Sequence, residues 1–121
     1  MLYRTLGRTG LRVSLMSLGT GGPSVFGQRT SVSQQGRRAL VRRALDLGVN
    51  LFDTAGEYLR SEEMLGDALR GVPRDSYLIA TKWKHWGDNR DVLQGPEDLL
   101  ESVDLSLARL ETDHLDVLQF H

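Results

Sequence analysis

The chain has 121 residues, a net charge of −1, 40% hydrophobic and 26% charged residues, and no cysteine. That is enough chain for one domain with a modest core, and it carries no basic footprint for nucleic acid. Disulfides and thiolate metal sites are excluded, which fits a reducing, cytoplasmic setting. No run approaches the length of a membrane span. The N-terminal MLYRTLGRTGL lacks an apolar core, so no signal peptide is expected.

Residues 3 to 13, YRTLGRTGLRV, hold two short runs around Gly7 and Gly10 and predict a small hairpin. VSLMSLGT, 13 to 20, reads as an apolar strand that ends in the glycine-rich loop GTGGPSVFG. A helix follows, with Ser33 as its N-cap and an apolar stripe of Leu40, Val41, Ala44, Leu45 and Leu47. Gly48 stands where a left-handed residue closes a helix.

The pattern then repeats. VNLF, 49 to 52, is a strand; Ser61 caps a second helix, with Glu62 and Glu63 in its first turn where they favour the dipole. Met64, Leu65, Ala68 and Leu69 form its buried face. SYLIATK, 76 to 82, is the third strand of this series. Pro96 opens a third helix, from which Leu99, Leu100, Val103, Leu107 and Leu110 point inward. LDVLQF, 115 to 120, is the fourth strand, followed by His121. Alternating strands and helices imply parallel strands joined by right-handed crossovers.

Ligand sites of parallel α/β folds lie at the carboxyl ends of the strands. Those ends carry Gly19-Thr20-Gly21, then Asp53 with Tyr58 on its loop, then Lys82 and Trp83, then His121. Each alone has a plain structural reading: a turn residue, a packed aromatic, a surface charge, a structural histidine. Together they make a chemical set. A phenol in water holds its proton up to about pH 10. A neighbouring ammonium favours its release, and a buried ammonium requires a counter-charge such as Asp53. Tyrosine as acid, lysine as tuner, aspartate as anchor and histidine as orienter suit protonation of a carbonyl oxygen. A side chain cannot supply the reducing electrons, so a hydride-carrying cofactor is expected.

With these residues in place, the chain resembles the aldo-keto reductase family along essentially its whole length. YRTLGRTGLRVSLMSLGTGG is similar to that family's opening hairpin and first strand. GVNLFDTAGEY resembles its Asp-x4-Tyr signature, SEEMLGDAL its second helix, LIATKW its lysine strand and LDVLQFH its histidine strand. The resemblance implies a catalytic tetrad of Asp53, Tyr58, Lys82 and His121, and NADPH-dependent reduction of aldehydes or ketones. It also implies that the nicotinamide ribose lies near Gly19, Thr20, Gly21 and Asp53. The fold it implies is a (β/α)8 TIM barrel. One local departure is the link from Tyr58 to the second helix, only Leu59-Arg60, where many members have a longer glycine-containing segment. It is expected to tilt Tyr58 or reshape the pocket rim.

Such a barrel runs to about 250 residues. The expectation is therefore that residues 1–121 are the N-terminal half, with hairpin and four parallel strands, and that this polypeptide alone has little or no reductase activity. In the family, the second half supplies the platform under the nicotinamide and the loops that hold the phosphates. Two alternatives stand beside the enzyme: a non-catalytic nucleotide-binding barrel serving as a regulatory subunit, and a half-barrel interaction module.

Other patterns carry less. Gly19-Thr20-Gly21-Gly22 fails the G-x-G-x-x-G test, since Ser24 stands where the third glycine belongs. Trp83, Trp86 and Phe26 are candidates for an aromatic substrate wall, with loop packing as the alternative. Arg37, Arg38, Arg42 and Arg43 read as a solvated helix face, with Asp46 in helical reach of the last two. His85, His114 and His121 have no metal-ligand spacing, so no metal is expected.

Overall fold

The computed structural model describes residues 1–84 and 95–121. A two-stranded antiparallel hairpin, β1 (Tyr3–Thr5) with β2 (Arg12–Ser14), precedes a four-stranded parallel sheet in the order β3 (Leu18–Gly19), β4 (Leu51–Asp53), β5 (Leu78–Trp83), β6 (Val117–Phe120). Three helices alternate with these strands: α1 (Gln34–Asp46), α2 (Ser61–Leu69) and α3 (Pro96–Leu110). Among the described residues, no helix is long and apolar enough to cross a membrane.

The apolar run 13–20 is not one strand. Its first residues complete the hairpin, its last join the sheet, and Leu15 and Met16 between them are exposed. Asn50 fixes the break: its Oδ1 accepts from the Ser14 amide at 2.8 Å and its Nδ2 donates to the Arg12 carbonyl at 2.9 Å. The Tyr3 hydroxyl donates to the Gly48 carbonyl at 2.8 Å, so the hairpin closes the amino end of the sheet.

Helix boundaries follow local chemistry. The Ser33 hydroxyl accepts from the Gly36 amide at 3.1 Å, an ordinary N-cap. Gly48 takes φ 85° just beyond α1, as its position required. Ser61 departs from expectation: Arg60 is the N-cap of α2, and Ser61 is its first helical residue, fully buried. Pro96 opens α3 as expected.

The core lies between sheet and helices. Phe52 and Ile79 pair in register across β4 and β5, both fully buried, against Val41, Leu65, Ala68, Leu69 and Leu110 of the helices. Because strand side chains alternate, Asp53 and Lys82 project from the opposite face. The buried stripes are narrower than the apolar pattern predicts: Leu40, Leu47 and Leu100 are exposed, and inward packing from α3 is carried furthest by Leu110. Of the arginines on α1, Arg38 forms a two-pronged pair with Asp67, and Arg42 donates to the Arg70 carbonyl rather than reaching Asp46.

Candidate active site

Asp53 ends β4, and Lys82 stands one residue before the end of β5. The register sets Asp53 opposite Ala80, so Lys82 lies two residues further along the same face. Its Nζ donates to Asp53 Oδ1 at 2.6 Å and to the Thr54 carbonyl at 2.8 Å. With the Lys82 side chain only 11% exposed, these two acceptors replace most of the water the ammonium lost on folding.

Tyr58 reaches this pair from the loop after β4. Its ring centroid is 4.9 Å from Lys82 Nζ, within cation–π range. The His121 ring meets it edge-on, with centroids 5.5 Å apart. Asp53, Lys82 and His121 from three strand ends, with Tyr58 from the loop after β4, thus form one contiguous cluster. The short link to α2 turns through Leu59, which is exposed and takes φ 55°.

The glycine loop divides in function. A Cβ on Gly19 would meet nothing within 4 Å, so the face beside Asp53 is open there. Gly21 instead lies directly against the Tyr58 ring. Thr20 is fully buried, and its hydroxyl donates to Thr54 Oγ1 at 2.8 Å. It sits beneath the surface, where its side chain braces the neighbouring strand ends and presents nothing to a ligand.

The aromatic wall does not assemble from Phe26 and Trp83. Phe26 is packed in the helix-side core with Val41 and Phe52. Trp83 follows Lys82 in the strand and so points to the other face, where its ring meets Phe120 with centroids 5.3 Å apart. Trp86 lies outside the described residues.

Three side chains around the cluster had no assigned part. Glu57 Oε2 lies 2.9 Å from His121 Nδ1; its only sequence signal is its place next to Tyr58. Glu62, in the first turn of α2, is 1% exposed. It accepts from Thr81 Oγ1 at 2.7 Å and pairs with Arg109 at 3.2 Å, tying α2 to β5 and α3. Gln28 bonds the backbone on both sides of Leu59, and nothing in its sequence context marks it.

The sequence profile of the Aldo/keto reductase family matches residues 17–121. L-Galactose dehydrogenase of Arabidopsis thaliana is 41% identical over 123 aligned residues, which cover 98% of this chain and 37% of that protein. A protein of Oryza sativa subsp. japonica, inferred to be a voltage-gated potassium channel subunit beta, is 38% identical over 132 aligned residues, covering all of this chain and 37% of that one. A solved structure from Pseudomonas aeruginosa, itself assigned to the aldo-keto reductases, superposes with a TM-score of 0.84 at 41% identity, over 99% of this chain and 46% of its own. The chain therefore spans less than half the length of these relatives. Its four parallel strands and intervening helices correspond to part of their barrel, and the chain belongs to the aldo/keto reductase family.

Proposed function

We propose that residues 1–121 form the N-terminal half of a cytoplasmic, NADPH-dependent reductase of small-molecule aldehydes or ketones. The carrying observation is the Asp53–Lys82 ion pair at 2.6 Å set beside the Tyr58 ring. Asp53 and the Thr54 carbonyl hold the Lys82 ammonium on the inner face. That positive charge stabilises the negative charge that develops on the Tyr58 oxygen as its proton moves to the substrate carbonyl oxygen. His121, edge-on to the same ring, orients that oxygen. The open face at Gly19, beside Asp53, would hold the nicotinamide ribose, with Gly21 against the Tyr58 ring and the buried Thr20 bracing the strand ends beneath it. The bound cofactor supplies hydride to the carbonyl carbon. The product is an alcohol, with the proton from Tyr58 on its oxygen.

A second reading, a nucleotide-binding barrel serving as a channel subunit, is favoured by the rice relative. The two readings divide at Tyr58. In the barrel completed by its second half, Tyr58→Phe lowers kcat for carbonyl reduction by about a hundredfold or more if Tyr58 is the acid. Turnover that survives this change intact sinks the assignment. Aldehyde-dependent NADPH consumption by the isolated chain would refute the half-barrel part of the proposal.

A further inference from the structure

We propose that Gln28 is a positioning residue for Tyr58, acting as a clamp on the link between Tyr58 and α2. The proposal deepens the reading of Tyr58 as the acid and rests on it.

The Gln28 amide is fully engaged. The two N–H groups of Nε2 are shared among three acceptors: the Val25 carbonyl at 2.9 Å, Ser61 Oγ at 3.1 Å and the Tyr58 carbonyl at 3.2 Å. Oε1 accepts from the Arg60 amide at 3.1 Å. Backbone carbonyls can only accept and a backbone N–H can only donate, so these partners fix which end of the amide is which. The bonds to Tyr58 and Arg60 bracket Leu59. A leucine at φ 55° is disfavoured by about 1 kcal/mol or more, and its side chain is largely exposed. The Ser61 amide closes this turn on the Tyr58 carbonyl at 3.0 Å, and Gln28 reaches it from outside and bonds both of its ends.

The clamp has its own footing. Ser61 Oγ, held by Gln28, donates to the Thr20 carbonyl at 3.0 Å, and Thr20 bonds Thr54 beside Asp53. Val25 and Phe26, consecutive at φ 46° and 54° and both buried, turn the chain so that Gln28 comes back over Tyr58. A β-branched residue such as Val25 rarely adopts this conformation. Two strained segments thus meet through one side-chain amide, with the phenol between them and the strand end. Strain of this kind clusters where geometry serves function.

Two variants separate the bonds. Gln28→Ala removes all of them. Gln28→Glu keeps an acceptor for the Arg60 amide and sets oxygen against the Tyr58 and Val25 carbonyls. On the chain itself, hydrogen exchange at the Arg60 amide rises about tenfold in Gln28→Ala and stays near wild type in Gln28→Glu, while the β5 amides keep their protection. Unchanged Arg60 exchange in Gln28→Ala overturns the clamp. In the completed barrel, both variants lower kcat about tenfold with both KM values held, because the phenol is misplaced. In a Tyr58→Phe background, Gln28→Ala costs less than about twofold, since the group it positions is gone. An equal loss in both backgrounds makes Gln28 mere scaffold, and a raised cofactor KM with unchanged kcat makes it a ligand contact; either result overturns the proposal. If wild type and Tyr58→Phe turn over alike, the acid reading fails, and Arg60 exchange still decides the clamp.

Discussion

A Cβ atom on Gly21 would stand 2.8 Å from Cε2 and 2.9 Å from Cζ of the Tyr58 ring. The ring lies against backbone that only the absence of a side chain leaves bare. Gly21→Ala must push the ring away, and Gln28 holds the backbone behind it, so the ring tilts rather than the loop. In the completed barrel, if Tyr58 is the acid as proposed, the expected result is a loss of about tenfold to a hundredfold in kcat, since displacing a reacting group by an ångström costs that much. Gly21 does not take a positive φ, so the fold tolerates the change. Denaturation midpoints measured beside the kinetics check this: a large fall in stability with normal kcat would contradict the account.

Asp53 and Lys82 behave as one unit. Asp53→Asn keeps an oxygen that can accept from Lys82 but removes the counter-charge of the mostly buried ammonium, and destabilises the chain by about 2 kcal/mol. Lys82→Met alone leaves Asp53 without its partner. The double variant removes both charges and is expected to be less destabilised than the sum of the two, because the cost of each single change is largely the group it strands. A denaturant-based double-mutant cycle reads the coupling directly. Simple additivity would mean that the pair contributes nothing as a pair.

How much of this was legible beforehand depended on how local the cause was. The alternation of strands and helices, the Ser33 cap and Pro96 at the head of α3 all follow from periodicity and short-range chemistry, and all were read directly. The clustering of Asp53, Lys82 and His121 was readable because strand ends converge in a parallel sheet, and that of Tyr58 because it follows Asp53 on the same loop. What failed was orientation. Trp83 and Lys82 are adjacent in the chain, and strand alternation sends one to the core and the other to the site, a consequence the aromatic-wall reading ignored. Ser61 reads as a cap by residue type, but its hydroxyl is claimed by Thr20 across the fold. Gln28 and Glu62 owe their roles to partners more than a dozen residues away, which no local pattern encodes.

Asp67 sets an acid limit on stability. The hydrogen bond from the Arg38 guanidinium, with a second from Gln34, holds its carboxyl below the ordinary range. A carboxylate whose folded pKa is lowered stabilises the fold above its unfolded pKa of about 4. That contribution disappears as pH falls through the folded value. Asp67→Asn therefore lies below wild type in urea midpoint at neutral pH, and the two curves converge as the solution is acidified below about pH 4. A constant gap across the range would show that the loss is packing and not charge.

Tyr77 sets the opposite limit. It is 7% exposed, edge-on to Phe52 with centroids 6.0 Å apart. Burial pushes its phenol above the ordinary value, the Arg74 guanidinium over its ring opposes this, and Asp116 adds to it. The folded state therefore holds the proton more tightly than the unfolded one. Stability is intact below the unfolded phenol pKa of about 10, and it falls as pH rises from there toward the folded value. Tyr77→Phe keeps the ring and its edge contact but has no proton to lose. Its midpoint is expected to match wild type near pH 8 and to exceed it near pH 11, with the two curves parting at about pH 10. The other tyrosines titrate in both proteins and cancel in the difference. Parallel alkaline limbs would mean that the Tyr77 phenol ionises in place without cost, and that burial at the foot of β5 is looser than its packing against Phe52 implies.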